Sequence, residues 1–368
     1  MCKRTLELME LIEFDILNTP EAKEDLVLCL GYFDGLHLGH QSIINKAKNE
    51  GYPVAVLTFD NSPSFILGKK VTNSCLTSVI DKVEFLEQMG VQYLYLMNFD
   101  ENTIYYSKDE FIDLVLKKIN PKKIFVGEDY KFGAWGSGDA SYLKNYFDVD
   151  ISNLKKINGE KISSRVIRDY VKIGEMEKVQ SLLGRYYRVS GLVVEGKQNG
   201  HKLNCPTANL SLDYPYVFPK EGVYMGYVEF FDERKKAVIS VSKHPSIMEL
   251  SNPIIEVHII DFNENLYGST LFVDFVSYMR EIKMFENLED LQAQIEKDIE
   301  TYGLYDYSVF EPYITYEQFD KLNGKYLKIA VEKGIITWDQ ILRLIDFIKP
   351  YFKYPDGGGT MCDFFIIY

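Results

Sequence analysis

The ten residues Gly31-Tyr32-Phe33-Asp34-Gly35-Leu36-His37-Leu38-Gly39-His40 concentrate groups able to act on a phosphate. Two histidines stand three apart, with glycines and an aspartate, between a short apolar run (Leu26 to Phe33) and a helical pattern (Gln41 to Asn49). A strand end that turns into a helix aims backbone N–H groups and the positive helix terminus at an anion, and glycine lets phosphate approach the backbone closely. Two imidazoles there can hydrogen-bond phosphate oxygens as charge builds during attack at phosphorus. With five histidines in the chain, His-x-Gly-His is a rare chance event, and the phosphate reading is preferred to two histidines that merely satisfy a turn.

A second segment, Ile162-Ser163-Ser164-Arg165-Val166-Ile167-Arg168, sets hydroxyls and arginines at the start of a helical pattern. It can bind departing phosphates, and a Ser-Ser pair there is equally an ordinary helix cap. In the second half, Pro206-Thr207-Ala208-Asn209 follows the loop Gly191 to Cys205. A hydroxyl and an amide carbonyl so close can complete an oxygen-rich Mg²⁺ site with ATP phosphates, or simply make a turn. Glu256 lies within the apolar run Ile254 to Ile260, where a carboxylate is either a paired structural group or a functional base.

The elements that must position these groups change character along the chain. The first half alternates strand-like and helix-like segments: Leu26 to Phe33, Val54 to Phe59, Gln92 to Met97 and Lys123 to Val126 as strands, with Val79 to Met89 and Lys108 to Ile119 among the helices. That order predicts a Rossmann-like α/β domain with a parallel sheet. Ser163 to Leu183 reads as two helices separated near Gly174, with Gly184 closing the second. From residue 185 onward, Val- and Tyr-rich stretches at Val189 to Val194, Val223 to Phe231, Ala237 to Val241, Ile254 to Phe262 and Leu271 to Val276 predict a small antiparallel β-barrel. A helix over Leu288 to Tyr302 would pack on it, and the remainder, residues 304–368, reads as a helical C-terminal extension with patterns at Tyr316 to Lys333 and Thr337 to Phe347.

Bulk properties bound the function. A net charge of −13 and a pI near 5.0 argue against nucleic acid or an anionic membrane as partner. The five cysteines show no short pair spacing, so no zinc knuckle or disulfide framework is expected, and a reduced cytoplasmic protein is. No apolar run is long enough to span a bilayer.

Together these motifs resemble the prokaryotic bifunctional riboflavin kinase/FAD synthetases over residues 25–303. The likeness extends through Leu57-Thr58-Phe59, Phe99-Asp100 and Val126-Gly127-Glu128-Asp129-Tyr130-Lys131-Phe132-Gly133 in the first half. In the second it rests on Thr207 and Asn209, on Glu256 and His258, and on Asp261-Phe262 with Leu266-Tyr267-Gly268. It implies an FMN adenylyltransferase domain over 1–184 and a riboflavin kinase domain over 185–303, using ATP and Mg²⁺ to convert riboflavin to FMN and FMN to FAD. By that resemblance His37, His40 and Arg168 serve adenylylation, while Glu256 is the general base for phosphorylation. Gly31, Phe33, Asp34, Gly39, Ser163, Ser164 and Arg165 would hold the nucleotide, Asp129 and Arg280 would lie near flavin, and Thr207 and Asn209 would bind substrate phosphate and the metal.

Departures from the family pattern are Arg165 in place of a threonine, Asn61-Ser62-Pro63 in place of Pro-His-Pro, Gly200 to Cys205 before the Thr207 motif, and Ser240 to Ser246. The altered loop around His201 and Asn204 keeps open an FAD synthetase whose kinase domain is degenerate, and the tail after residue 303 keeps open a non-enzymatic flavin- or nucleotide-binding regulator with that tail as its partner surface. Homo-oligomerisation is compatible with the sequence, which does not specify it.

Overall fold

The computed structural model describes residues 9–69, 72–153, 155–157, 160–194, 207–231, 233–242, 254–262, 264–283, 290 and 293–299. The chain divides into two compact units. The first takes Met1–Gly196, Ala208–Val257 and Glu264–Ile282, and the second the remainder. Within the second, residues 293–299 are helical. The two helical patterns expected beyond residue 304 lie outside the described residues.

In the first half, apolar runs become the strands β1 (Glu10–Phe14), β2 (Val27–Leu30), β3 (Val54–Phe59), β4 (Tyr93–Met97) and β5 (Lys123–Gly127). Two short strands, β6 (Lys131–Phe132) and β7 (Gly138–Asp139), pair as a hairpin before β8 (Val149–Ser152), and β9 (Lys156–Ile157) pairs with β10 (Glu160–Lys161). The main sheet has the order β1-β4-β3-β2-β5-β8, and every pairing in it is parallel. From β2 the chain steps outward to β3 and β4, then returns to lay β5 on the other side. The strand order therefore reverses at β2, and in open α/β sheets ligands bind beyond the carboxyl end of the strands at such a point.

Both faces of the sheet are covered, so the inner strands β2, β3 and β4 are near-continuous apolar runs rather than alternating with polar residues. On one face Leu28, Leu30, Leu57 and Met97 pack with Phe111 and Val115; on the other Val27, Cys29, Val56 and Leu94 pack with Ile43 and Ile44 of helix α1 (Leu38–Ala47) and Leu86. After α1 come α2 (Pro63–Ile66) and α3 (Val79–Gln88), the latter holding Leu86. The helix expected over 108–119 forms as α4 (Lys108–Phe111), a π-turn at Ile112–Leu116 and α5 (Lys117–Ile119). After α6 (Ala140–Leu143), Gly174 and Gly184 end α7 (Ser164–Ile173) and α8 (Met176–Leu183) in left-handed conformation.

The second half forms a closed barrel of β11 (Tyr187–Val194), β12 (Thr207–Leu212), β13 (Gly222–Phe230), β14 (Glu233–Ser242), β15 (Ile254–Ile259) and β16 (Thr270–Arg280), in the order β11-β12-β15-β14-β13-β16. The sequence reading did not foresee β1, β8 or β12. On β1 two glutamates interrupt the apolar pattern, as an edge strand tolerates. At β12, pairing from Gly191↔Leu212 to Val194↔Asn209 overrides the turn preference of Thr207 to Asn209.

Candidate active sites

The loop from Gly31 to His40 leaves the carboxyl end of β2 and enters α1. Phe33 and Leu36 have φ of 51° and 43°, and Gly35 has φ of 82°. Side-chain-bearing residues in that region are strained, and such strain gathers where a fold must hold a binding loop in one shape. His37 caps α1: its Nδ1 accepts from the backbone N–H of His40 at 3.3 Å. Because Nδ1 accepts, a neutral His37 carries its proton on Nε2. The rings of His37 and His40 stack with centroids 3.6 Å apart and planes 16° from parallel. A Cβ at position 39 would come within 3.1 Å of the His37 ring, so any other residue there would press on that ring. Phe33 is buried and its ring meets His40 edge-on at 5.1 Å, while Gly31 links the end of β2 to this turn.

Burial keeps both imidazoles neutral. It lowers the pKa of His37 to about 4, against the opposing pull of Asp34 and Asp129. Burial also lowers that of His40, helped by repulsion from His37, Lys82 and Arg185. His40 Nδ1 is buried without a hydrogen-bond partner, an expensive state for a polar atom.

Behind the loop, Asp34 accepts from Arg168 Nη2 at 2.6 Å and from the backbone N–H of Leu76 at 2.8 Å. Arg168 also donates to the Ser74 hydroxyl and carbonyl. Ser163 caps α7 and Ser164 donates to the Asp34 carbonyl at 2.8 Å. Asp34, Ser163, Ser164 and Arg168 are thus brought together, with the Arg168 guanidinium turned onto Asp34 and Ser74. Arg165 is exposed on the first turn of α7.

Two cations escaped the sequence reading. Lys82 is buried on α3, donates to the Tyr32 carbonyl at 3.1 Å and lies 4.3 Å over the Tyr32 ring. Burial lowers its pKa to about 8, against attraction from Asp34, Cys75 and Asp60. Arg185 donates to the Gly35 carbonyl at 2.8 Å and sits over the Phe85 ring. A signal existed for Lys82: it occupies the apolar stripe of α3, three residues after Val79 and four before Leu86.

A cavity of about 220 Å³ opens where β3 and β4 end, walled by Phe59, Met97, Phe99, Tyr106, Phe132 and Trp135 among others. It is apolar and aromatic, and no reading of the sequence anticipated it. Asp129 is not among its walls. That carboxylate is exposed after β5 and pairs with Lys161 at 3.3 Å.

On the barrel, the two-residue period of β15 buries Ile255, Val257 and Ile259 and turns Glu256 and His258 to the other face. Glu256 is half-buried and accepts from Ser240 at 3.5 Å. Asn209 is half-buried on the neighbouring strand β12, and Thr207 begins that strand. Arg280 ends β16, where its Nη1 donates to the Glu281 carbonyl. The loop residues 195–206 and 243–253, where the sequence departs from its family, lie outside the described residues.

A parallel sheet with a glycine- and histidine-bearing turn at its switch point, followed by a closed barrel, defines a protein of the α/β-sheet-plus-barrel class. Residues 19–166 match the family model of FAD synthetase and residues 183–304 that of riboflavin kinase. The chain is 33% identical over 294 residues to the bifunctional riboflavin kinase/FMN adenylyltransferase of Bacillus subtilis, across 77% of this chain and 92% of that protein. It is 34% identical over 281 residues to the protein of the same name from Listeria monocytogenes, across 74% and 90%. A crystal structure from Streptococcus pneumoniae, named a macrolide-efflux protein, superposes with a TM-score of 0.71 at 32% identity, covering 78% of this chain and 98% of that one. The chain belongs to the bifunctional riboflavin kinase/FMN adenylyltransferase family.

Proposed function

We propose that adenylyl transfer takes place at the Gly31–His40 loop and phosphoryl transfer on the barrel face bearing Glu256. The protein is a bifunctional transferase of flavin nucleotide synthesis, phosphorylating riboflavin to FMN with ATP and adenylylating FMN to FAD. The observation that carries the site reading is the stacked His37–His40 pair at the N-terminus of α1, on the switch point of the sheet.

In the adenylyl step, a phosphate oxygen of FMN attacks the α-phosphorus of ATP, the bond to the β-phosphate bridge breaks, and pyrophosphate departs. The His37 Nε2–H and the outward first-turn amides of α1 suit the charge that develops on phosphate oxygens. Arg168 serves here through Asp34 rather than on the phosphate, holding the loop, while Ser163, Ser164 and the exposed Arg165 lie at the start of α7 for the departing pyrophosphate. The aromatic cavity beside β3 and β4 suits the planar flavin ring, and its separation from Asp129 leaves that carboxylate on the histidine side.

In the phosphoryl step, Glu256 takes the proton of the ribityl 5′-hydroxyl as that oxygen attacks the γ-phosphorus and ADP leaves. Among the described residues no cluster of three or more His, Cys, Asp or Glu side chains could hold a metal. Thr207 and Asn209, neutral oxygen donors two apart on β12, suit Mg²⁺, which keeps waters and phosphate oxygens as its other ligands. When bound, Mg²⁺ would neutralise phosphate charge. Arg280 would contact flavin at the barrel end. On this reading residues 1–184 carry adenylylation and 185–303 phosphorylation. No helix among the described residues is long and apolar enough to cross a membrane.

Incubating the protein with Mg-ATP and either riboflavin or FMN, then separating the flavins by chromatography, tests both steps. FMN from riboflavin and FAD from FMN are expected. FAD from FMN without FMN from riboflavin would overturn phosphorylation by the barrel.

A further inference from the structure

The adenylyl loop is held from behind by a short segment whose other side is held by the barrel half. Ser74 takes two hydrogen bonds from Arg168, and the Leu76 N–H donates to Asp34. Between them, the Cys75 N–H donates to the Pro215 carbonyl at 2.9 Å and the Cys75 carbonyl accepts from the Val217 N–H at 2.9 Å, a parallel bridge opposite Tyr216. Successive residues of one extended segment thus serve the two halves alternately.

A second connection runs through side chains. The Tyr216 hydroxyl, buried and shared with Ser190 at 2.9 Å, donates to Asp81 at 2.9 Å. That same Asp81 oxygen accepts from the Ser78 N–H and hydroxyl and so closes the capping box at the start of α3. The next residue, Lys82, holds Tyr32 of the adenylyl loop. Removing the Tyr216 hydroxyl takes one of three donors from a buried carboxylate whose other oxygen already lacks a partner, and buried carboxylates tolerate such loss poorly.

We propose that Tyr216, supplied by the barrel half, is a positioning residue for adenylyl transfer in the other half. It sets the start of α3, and through Lys82 and the Ser74–Leu76 segment it sets the loop that carries His37 and His40. The proposal rests on the assignment of that loop to adenylyl transfer. It goes further, because the two activities of the chain then share a mechanical part although their reacting atoms lie on separate elements.

The test uses the full chain with Tyr216→Phe, reading steady-state FMN adenylylation and riboflavin phosphorylation in the same preparation. The expected result is a fall in the adenylylation kcat of about fivefold or more, with KM for ATP and the phosphorylation rate each within about twofold of the parent. Equal losses in both activities would mark Tyr216 as a packing residue of the barrel and overturn the proposal, as would no loss in either. Asp81→Asn approaches the same hydrogen bond from the α/β side and must give the same split, which keeps the test decisive if Tyr216→Phe does not fold. His40→Ala is measured alongside. Loss of adenylylation with His40→Ala but not with Tyr216→Phe overturns the coupling alone, whereas full adenylylation by His40→Ala overturns the site assignment and the coupling with it.

Discussion

Arg168 and Asp34, 134 residues apart in sequence, meet through a 2.6 Å hydrogen bond with each residue less than a tenth exposed. Removing one partner of such a pair leaves an uncompensated buried charge, whereas removing both does not. Arg168→Leu should therefore lower unfolding stability by about 3 kcal/mol, while Asp34→Asn combined with Arg168→Leu recovers part of that loss. Denaturant unfolding of the parent, the two single variants and the double variant measures it. A double variant as unstable as the sum of the two singles would show that the ion pair is not what holds the loop.

The histidine pair leads to a pH prediction. His37 titrates near 4 in the folded chain against an ordinary value of 6.5, so between those values the unfolded chain binds more protons than the folded one. Stability then rises with pH through that window: it is complete above about pH 6.5 and declines as pH falls toward 4, by about 3 kcal/mol for this residue. Melting temperatures from pH 7 to pH 4 should follow that course, and His37→Gln should make it shallower, leaving the slope contributed by His40. Adenylylation should correspondingly hold steady down to about pH 5, since the neutral imidazole is the form the loop contains.

How far the sequence could be read is clear from particular residues. The buried strands β2 to β5 and the His37–His40 turn were legible because apolar runs and glycine-histidine spacing are local signals. β12 was not, since Thr207 to Asn209 belong to a strand formed by long-range pairing between β11 and β15. The engagement of Arg168 was hidden for the same reason: its partners come from Asp34 and Ser74, which only the folded sheet brings near. Lys82 left a trace as a charge on an apolar stripe, whereas Arg185 left none, because its partners are a carbonyl and a ring distant in sequence. The aromatic cavity collects side chains from β3, β4, β6 and the loops between them, and no window of sequence contains it.

Lys82 offers a third prediction. Lys82→Met keeps the length of the side chain and removes the ammonium that binds the Tyr32 carbonyl and ring. FMN adenylylation should fall about tenfold, the effect of losing a charge-assisted hydrogen bond, while riboflavin phosphorylation stays at the parent rate. Parallel assays on one preparation decide the matter, and equal loss of both activities would refute a local role.

Glu256 separates the two reactions from the other side. Glu256→Gln keeps the shape of the side chain and removes the base, so phosphorylation should fall by about 10² or more with adenylylation unchanged. Chromatographic assay with riboflavin and with FMN as separate substrates reads the difference.

For the aromatic cavity, Phe99→Ala removes a ring that packs on Phe59 with centroids 4.9 Å apart. The KM for FMN in adenylylation should rise about tenfold through lost apolar and stacking contact, and the KM for ATP should not move. An unchanged KM for FMN would exclude this cavity as the seat of the flavin ring.

The closed barrel leaves no strand unpaired, but among the described strands the main sheet ends at β1 and β8. An open margin invites another chain to add a strand and begin aggregation. On β1 the margin carries Glu10, bonded to Lys23 at 2.5 Å, and the exposed Glu13, on either side of Leu11 and Ile12. An incoming strand would have to strip water from these charges, so the two glutamates that obscured β1 in the sequence protect the solubility of the folded chain, and replacing both with valine would be the shortest route to losing it.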